Sequence, residues 1–527
     1  MCVIAFASCH PPDARHRVPA AAANTVRAPL APADTLRFSP RPNRAREIQW
    51  HTFSPETFAE AERTGRPILL SVAAIWCHWC HVLDETTLSD PRVIERVNRT
   101  TIPVRVDADQ NPDIERRYLL GGWPTLALLD ARGRVLDGGT YMPATQFLTM
   151  LDRVLAVFAA DRAHAFETLG GARAAVQDEL APGSLFADDI ERLTDALLAR
   201  LDAENGGYSG RQKFPMGETL AFMLDRLEHG GERVRAPLRL WLDGIARGLY
   251  DPIDGGFYRY ATRSDWSAPH FEKMARTNGE LIAVFARASV LYANPHDAEL
   301  ARGAWRWAWT TLRQGDLFGA SQDADEAYSA ADANTRRTMR APYVDLTTLA
   351  SWNADLAIGG MIAGRELHDE AMTAQAESVA SAVLRSFVAA DGAVAHVVRN
   401  GERAMTGDLG DVSTLVDMAA VQGGPGLEAA RRILAWGRPR LAEPEHGWYD
   451  RVQSDSAPGL VHERYRDVEL NARLAEGMAR LALATQDRTL ANEVIQIASA
   501  FGRGARRPDP ASVRFAHARE LVTGLGP

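Results

Sequence analysis

The chain has 527 residues, which is long enough for about three domains of ordinary size. Its hydrophobic fraction of 46% and charged fraction of 24% are typical of globular proteins, and its net charge of −9 provides no basic surface for nucleic acid. No apolar run approaches the ~18 residues that a membrane-spanning helix requires. The four cysteines are too few for a disulfide-rich secreted scaffold, so we expect a cytoplasmic protein that binds neither nucleic acid nor membrane.

Residues 1–45 are rich in alanine, proline and arginine and have neither helical nor strand periodicity. This composition predicts a disordered N-terminal segment, or residues added by an upstream start codon. The apolar patch at residues 3–7 is short and follows no positive charge, so it is a poor signal peptide.

Residues 46–160 alternate between strand-like and helical patterns. In chain order we predict a strand at 48–53, a helix at 54–65 that is capped by Ser54, and a strand at 67–75. A helix that begins at Cys77 and runs to residue 98 follows. The remaining predicted elements are a strand at 101–109, a helix at 111–120, a hairpin at 124–139 and a helix at 145–160. This order, βαβαβαββα, is typical of a thioredoxin fold with an added N-terminal strand and helix.

A CxxC motif follows the strand at 67–75. The order of strand, Trp76, Cys77-x-x-Cys80, helix and a later Pro124 in the sequence WPT resembles a thioredoxin-type redox site. At a helix start, unpaired N–H groups and the helix dipole favour a thiolate. We therefore predict that Cys77 is the nucleophile, that Cys80 is the resolving thiol, and that Pro124 is a cis proline beside the sulfur.

The residues around the motif bear on its proton transfers. Where thioredoxins usually carry a buried aspartate beneath the second cysteine, this chain has Ser71. A hydroxyl is a poor base near neutral pH, so proton transfer from Cys80 must be served by water or by His81, or is not served at all. We expect the redox site to be supported by the flanking residues Trp76, His78, Trp79 and His81 and by Pro124.

Three other interpretations of the sequence CHWCH stay open. C-x-x-C-H is the attachment pattern of c-type haem, although no export signal accompanies it here. His78 and His81 could complete a metal site with the two cysteines. The fold could also persist with a pair that has lost its redox role. Our prediction is dithiol chemistry that uses neither a metal nor a cofactor.

After a polar helical connector at 161–183, apolar residues recur at helical spacing in about twelve segments of residues 184–527. Loops that combine glycine with an aromatic residue recur between them, at 205–208, 254–257, 316–319 and 446–450, with a weaker copy at 391–396 and a degraded one near 507–510. Repeated helical hairpins joined at one end predict an all-α, closed (α/α)6 toroid. Five repeats, or an open helical array, are the alternatives.

Seven short motifs carry a family resemblance. They are YLLGGWPT at 118–125, GGTYMP at 138–143, KFP at 213–215, DGGFYRY at 254–260, PHFEKM at 269–274, SQDADE at 321–326 and SWN at 351–353. On these motifs the chain resembles the spermatogenesis-associated, thioredoxin-like family, formerly a domain of unknown function. The resemblance implies a thioredoxin-like domain fused to a toroid similar to glycosidases and N-acylglucosamine 2-epimerase, and it leaves the reaction open. The chain departs from the family pattern in two places: an N-terminal motif of the type SPYLLQHA is absent, and the segment after SQDADE is short.

In a toroid, the loops at one rim form a concave bowl in which aromatic residues would provide stacking surfaces. The polar candidates for this bowl are Asp254, Arg259, His270, Glu272, Lys273, Asp323, Asp325 and Asn353. Paired carboxylates could hydrolyse a glycoside, and a histidine with a carboxylate could move a proton beside a sugar carbonyl.

Each of these residues also has a structural explanation. His270, Glu272 and Lys273 could form a capped, salt-bridged helix start in which Glu272 pairs with Arg276. Two of the aspartates could cap a turn or helix, and Asp254 could shape a tight turn. Asn353 is more easily explained as a satisfied buried amide.

We therefore predict thiol–disulfide exchange through Cys77 and Cys80, with a toroid that binds a carbohydrate-like or peptide ligand and selects what reaches them. The expected partner is a protein thiol or disulfide, or a small-molecule substrate. One alternative is a sugar-modifying enzyme of the epimerase or hydrolase type with a structural thioredoxin domain. Another is a non-catalytic binding scaffold.

Overall fold

The computed structural model describes residues 37–170, 182–183, 187–399, 401–443, 446–502, 508–523 and 525. The prediction of N-terminal disorder therefore lies outside the described residues as far as residue 36. Most of the connector between the domains and part of the degraded loop near 507–510 also lie outside them.

Residues 37–45 are packed against the α/β domain, which corrects the C-terminal end of the predicted disordered segment. Phe38 is buried, and the guanidinium of Arg105 lies 4.5 Å from its ring centroid. Ala45 is fully buried in a 3-10 turn that spans Ala45–Glu47. The average composition of the segment hid these two apolar anchors.

The N-terminal domain has a four-stranded sheet with helices on both sides. Its strands are β1 Ile68–Ala73, β2 Ile102–Asp107, β3 Thr125–Leu129 and β4 Val135–Gly139, and its helices are α1 Pro55–Thr64, α2 His78–Glu85, α3 Pro91–Thr100, α4 Pro112–Tyr118, α5 Ala144–Ala160 and α6 Ala165–Leu169. The strand order is β2-β1-β3-β4, with β1 parallel to β2 and antiparallel to β3. All six residues of β1 are buried, as expected for a central strand.

Two predicted elements of this domain differ from the structure. The segment 48–53 forms only an isolated bridge, between His51 and Val104. The helix predicted from Cys77 to residue 98 is broken after Glu85, and α3 begins at Pro91 with the Asp90 carboxylate accepting the N–H of Arg92. Proline has no N–H and is favoured at the first helical position, so it begins a new helix. The predicted cap of α1 is confirmed, because the Ser54 hydroxyl accepts the N–H of Thr57.

The C-terminal domain consists mainly of helices. They are α7 Ala187–Leu198, α8 Gly217–Glu228, α9 Arg235–Gly248, α10 Ala275–Leu291, α11 Pro295–Trp307, α12 Glu326–Ala330, α13 Ala333–Arg336, α14 Ala350–Glu366, α15 Glu370–Phe387, α16 Leu409–Gln422, α17 Pro425–Leu441, α18 Val468–Thr485, α19 Arg488–Ala500 and α20 Pro510–Thr523. Apart from the short helices α12 and α13, the described residues contain the twelve long helices that the periodicity predicts.

These long helices form a closed ring. Inner helices α8, α10, α14, α16, α18 and α20 each pack against the next, and α20 returns to pack against α8. The outer helices alternate with them along the chain. Because the last inner helix meets the first, the domain is a closed (α/α)6 toroid with six hairpins, as the repeats predict, and not an open array.

Short strands reinforce the loops at one rim of the toroid. They are β5 Tyr260–Ala261, β6 Pro269–His270, β7 Lys273–Met274, β8 Arg313–Gln314, β9 Leu317–Phe318, β10 Ser321–Gln322, β11 Val344–Asp345, β12 Ala395–Arg399, β13 Glu402–Thr406, β14 Ala442–Glu443 and β15 Gly447–Trp448. β10 pairs with both β7 and β11, which joins two neighbouring loops.

Aromatic residues of three recurring loops, Phe257, Phe318 and Trp448, are buried in the core, which corrects the expectation that the loop aromatics would line a bowl. Phe318 is fully buried, and its backbone N–H and C=O bond to the amide of Asn353 at 2.7 and 3.0 Å. Asn278 and Asn471 hold the loops of two other hairpins in the same way. Asn353 is therefore a satisfied buried amide that fixes a repeat.

The α/β domain covers the rim that carries these loops. Arg117 of α4 donates to Asp450 at 2.8 Å, and Arg116 forms an ion pair with Asp408 at the start of α16. At another loop, His396 lies 2.6 Å from the carbonyl oxygen of Asp109. The expected open bowl is therefore occupied at its edge by the other domain.

His396 connects the two domains through a charged hydrogen bond. Its Nδ1 lies 2.8 Å from the Asp411 carboxylate, and both side chains are buried. Burial alone would lower the pKa of His396, but Asp411 and the bond to Asp109 raise it to about 9. Because this value lies above the ordinary value near 6.5, the stabilisation is fully present below pH 6.5 and is lost as the pH rises through 9.

We therefore expect the free energy of unfolding to fall by up to about 3 kcal/mol between pH 6.5 and pH 9.5, measured by urea denaturation. His396→Gln should lose most of this pH dependence. His164→Gln is a suitable control, because His164 is largely exposed and should leave the profile unchanged. An identical pH profile in wild type and His396→Gln would contradict the assignment.

No helix in the described parts of the chain combines the length and apolarity needed to cross a membrane.

Candidate functional site

Cys77 and Cys80 are joined by a disulfide at the start of α2, with their Cα atoms 5.2 Å apart. Cys77 is the N-cap residue, and its sulfur accepts the backbone N–H of Cys80 at 3.1 Å. The buried strand β1 leads directly into this turn and holds it at the carboxyl end of the sheet. A sulfur in this position is favoured as a thiolate when the disulfide is reduced.

The loop that carries Pro124 lies beside the motif. The Trp123–Pro124 peptide bond is cis, as the sequence predicts. The indole of Trp123 packs edge-on against that of Trp76, with ring centroids 5.4 Å apart. Trp76 also donates from Nε1 to the Asp109 carboxylate at 2.7 Å. Trp76, the residue before Cys77, is therefore held by the packing of Trp123 and by the hydrogen bond to Asp109.

Toroid residues contact the start of α2. The Oε1 atom of Glu272 lies 3.5 Å from the backbone N of His78 and 3.6 Å from Nδ1 of His270. The His78 ring is also paired with Glu326, at 2.9 Å. The other oxygen of Glu272, Oε2, is buried without a hydrogen-bond partner among the described residues. Burial would raise the pKa of Glu272, but His270 and Arg259 lower it overall, so this carboxylate is ionised beside the disulfide.

Arg259 lies between the two domains. Its guanidinium is 4.3 Å from the ring centroid of Trp76 and 5.2 Å from that of Trp123, and such cation–π contacts orient a cation over the indoles. Burial lowers the pKa of Arg259, although Glu272 opposes the shift. This places a cation from the toroid directly beside the CxxC turn.

Asp323 and His81 face each other across the domain boundary. The Asp323 carboxylate lies 3.6 Å from Nδ1 of His81, and both side chains are 6% exposed. Nε2 of His81 lies 2.7 Å from the carbonyl oxygen of Ile75. Burial raises the pKa of Asp323 to about 8 and lowers that of His81.

Of the toroid candidates from the sequence, four therefore meet at the redox pair: Arg259, His270, Glu272 and Asp323.

The other four toroid candidates make structural contacts away from the redox pair. Lys273 is buried and donates to Asp251 and to the carbonyl of Gly255 at 2.7 Å each. Asp254 accepts from Arg336, and Asp325 caps α12. Asn353 holds its loop, as described above.

The segment PHFEKM corrects a sequence prediction. It forms β6 and β7 before α10 begins at Ala275, so it is not a helix start. Glu272 does not pair with Arg276, which instead lies 3.6 Å from Glu280 and 3.8 Å from Asp355. Helical spacing gave the wrong partners because the polypeptide is extended here.

Sequence reasoning missed two acidic residues near the motif. Desolvation and the neighbouring Asp107 raise the pKa of Asp109 well above its ordinary value, although Trp76 donates to it. Desolvation also raises the pKa of Glu115 to about 7, against the effect of Arg116. Acidic residues before and within the first turn of α4 are explained by helix capping, so the sequence contained no signal for their desolvation.

A second feature that the sequence did not indicate is a cavity of about 100 Å³ along the toroid axis. Its charged lining comes from the inner helices and consists of Glu218, Glu280, Arg287, Asp355, Asp417, Arg473, Glu476, Arg480, Arg514 and His517. Burial and the nearby Glu218 raise the pKa of Glu280 to about 8. These residues are distributed over all six inner helices, and only ring closure brings them together.

Within the described residues, no group of three or more histidine, cysteine, aspartate or glutamate side chains is arranged to hold a metal ion. The two cysteines of the motif are bonded to each other instead.

The fold and this site define a thioredoxin-like domain with a CxxC disulfide, joined to a closed (α/α)6 toroid. Residues 41–177 match the family model Thioredox_DsbH, described as a protein of unknown function, DUF255. Over 308 residues the chain is 29% identical to spermatogenesis-associated protein 20 of Mus musculus. That alignment covers 53% of this chain, and the chain spans only 39% of the relative. These matches confirm the resemblance that the motifs indicated.

Each domain has a separate likeness. Over 95 residues the chain is 33% identical to the thiol:disulfide interchange protein DsbD of Citrobacter koseri, which covers 17% of each protein. Among solved structures, a D-mannose isomerase aligns with a TM-score of 0.51 and 9% identity, covering 65% of this chain and 100% of that one. At this identity the second likeness shows the toroid fold alone.

Proposed function

We propose that the protein carries out thiol–disulfide exchange through Cys77 and Cys80. The observation that carries the proposal is the disulfide at the start of α2, in which the Cys77 sulfur accepts the N–H of Cys80. The similarity of part of the chain to a thiol:disulfide interchange protein supports it.

In the reducing direction, the Cys77 thiolate attacks a substrate disulfide and forms a mixed disulfide, and one substrate sulfur leaves as a thiolate. The Cys80 thiol then loses its proton and attacks the Cys77 sulfur. The second substrate sulfur leaves with the electron pair of the broken bond, and the Cys77–Cys80 disulfide forms again. The substrate disulfide is reduced by two electrons and the dithiol is oxidised by two. In the opposite direction the same steps run in reverse.

The toroid limits which substrates reach the pair. Cys77 and Cys80 are 3% and 2% exposed, so the surface of a folded protein has little access to either sulfur. Trp79 is 44% exposed and packs beside Tyr141, with ring centroids 5.1 Å apart. We infer that a small-molecule disulfide or an extended peptide enters along Trp79 and meets the toroid residues that border the pair. The likeness to the D-mannose isomerase is one of fold alone.

Thiol trapping across a redox series tests the proposal. In a background with Cys2→Ser and Cys9→Ser, the protein is equilibrated with mixtures of reduced and oxidised dithiothreitol, then alkylated and weighed by mass spectrometry. We expect two thiols to appear and disappear together, reversibly. Cys80→Ser in the same background is the matched control and should never lose thiols in pairs. A pair that stays unchanged over the whole series would overturn the proposal.

A further inference from the structure

The resolving cysteine needs a proton acceptor, and the residue at the expected position does not provide one. The hydroxyl of Ser71 is buried without a hydrogen-bond partner in the described parts of the chain. A small cavity of about 20 Å³ does lie beside Cys80. This is enough space for one water molecule. The polar residues that line it with Cys80 include His81, Asp84, Arg105 and Asp107.

Two of these residues are already engaged. Both carboxylate oxygens of Asp84 accept from the guanidinium of Arg105, at 2.9 Å each, and one also accepts a backbone N–H. Asp107 accepts from the backbone and the side chain of Gln110, at 3.2 Å each. The two arginines at the cavity, Arg37 and Arg105, are cations and cannot accept a proton, so His81 is the remaining candidate acceptor.

The contacts of His81 define its state. A carbonyl oxygen can only accept, so the contact with Ile75 places the ring proton on Nε2. Nδ1 of the neutral ring then faces Asp323 of the toroid at 3.6 Å. The other Asp323 oxygen accepts the N–H of Ala324 at 2.8 Å, which fixes the carboxyl group.

We propose that the His81–Asp323 pair accepts the proton of the Cys80 thiol through one water molecule, so that the toroid completes the redox site of the α/β domain. This inference rests on the proposed thiol–disulfide exchange. The proton leaves Cys80, passes by way of the water to the pair and is later released to solvent. The resulting Cys80 thiolate attacks the Cys77 sulfur of the mixed disulfide, and the substrate thiolate leaves. Asp323 is a positioning residue here, because it acts through His81.

The surroundings of the pair are mainly acidic. His81 is influenced by Asp84, Glu85 and Arg41, and Asp323 by Glu272, Glu326 and Arg41. Burial raises the pKa of Asp323 to about 8, so the pair gains its accepting form as the pH rises through 8. The rate of the resolving step should follow the same pH dependence.

The test uses 5,5′-dithiobis(2-nitrobenzoate) on the reduced full chain carrying Cys2→Ser and Cys9→Ser. One thionitrobenzoate is released when Cys77 forms the mixed disulfide, and a second when Cys80 resolves it. We expect Asp323→Asn to slow the second release about tenfold or more at pH 8, where half of the pair is in its accepting form, and to move its pH midpoint upward. The rate of the first release should not change.

Two further variants keep the test decisive. His81→Gln should give the same shift, and the double variant should be no slower than the slower single variant. Asp332→Asn is the matched control, because Asp332 caps α13 on the surface and asparagine caps equally well. If the first release is absent, the proposed exchange itself fails. If both releases occur and neither Asp323→Asn nor His81→Gln moves the pH profile, the relay is overturned and the exchange stands.

Discussion

Replacing Cys77 by serine is expected to abolish thiol–disulfide exchange, with a loss of about a thousandfold or more, because the attacking sulfur is removed. Cys80→Ser should behave differently. It keeps the N-cap sulfur of Cys77, so it should react once with a disulfide substrate and stop at the mixed disulfide. The two variants therefore separate the attacking sulfur from the resolving one.

The measurement is mass spectrometry of each variant after incubation with oxidised glutathione, in the background that lacks Cys2 and Cys9. Cys80→Ser should gain the mass of one glutathione, and Cys77→Ser should gain almost none. Ser71→Ala is the control, since its hydroxyl makes no hydrogen bond among the described residues and lies on the strand that leads to the motif. Equal labelling of the two cysteine variants would contradict the assigned roles.

The second large effect concerns the salt bridge that joins the domains. The side chain of Arg117 is fully buried and donates to Asp450 at 2.8 Å and to the carbonyl oxygen of Leu460 at 2.9 Å. Arg117→Met removes the nearer cation and leaves the buried Asp450 carboxylate with Arg116, at 3.8 Å, and with the backbone N–H of Tyr465, at 3.2 Å. Breaking one side of a buried ion pair costs about 3–5 kcal/mol, and we expect a loss of stability in this range.

Urea denaturation followed by tryptophan fluorescence measures this loss. Arg99→Met is the matched control, because Arg99 pairs with Glu95 on an exposed face of α3 and should change the stability by less than about 1 kcal/mol. A second readout is the alkylation rate of the reduced cysteines, which should increase in Arg117→Met as the covered rim opens. Equal midpoints for the two variants would show that this contact does not hold the domains together.

Much of the fold could be predicted because it depends on local patterns. Helical periodicity gave the long helices, and the capping signal of Ser54 and the cis geometry at Pro124 follow from short motifs. Asp90 and Pro91 are themselves a local helix-start signal, so the predicted single helix from Cys77 to residue 98 was wrong at a position where the sequence indicates a break. The packing of Phe38 was hidden by a segment whose average composition is polar and proline-rich.

The site was harder to predict because it is assembled from distant parts of the chain. Cys77 and Cys80 are predicted from a short local pattern, the order of strand, Trp76, CxxC and helix, together with the later WPT. Glu272 and Asp323 are predicted to line the bowl of the toroid, whereas the structure places them against residues of α2. No local sequence pattern shows which face of one domain meets another. The prediction that Asn353 is a structural amide succeeded because its position on an apolar stripe is itself a local signal.

The seam between the domains has a thermodynamic consequence. Carboxylates of the toroid lie beside His78 and His81, which flank the two sulfurs, so the free energy of docking differs between the oxidised and reduced chains wherever these contacts change. Linkage is reciprocal. If docking of the toroid stabilises one redox state of the cysteine pair, the chain in that redox state docks the toroid more tightly by the same free energy. Where thiol–disulfide exchange changes these contacts, the reduction potential of the dithiol depends on toroid residues that contribute no sulfur.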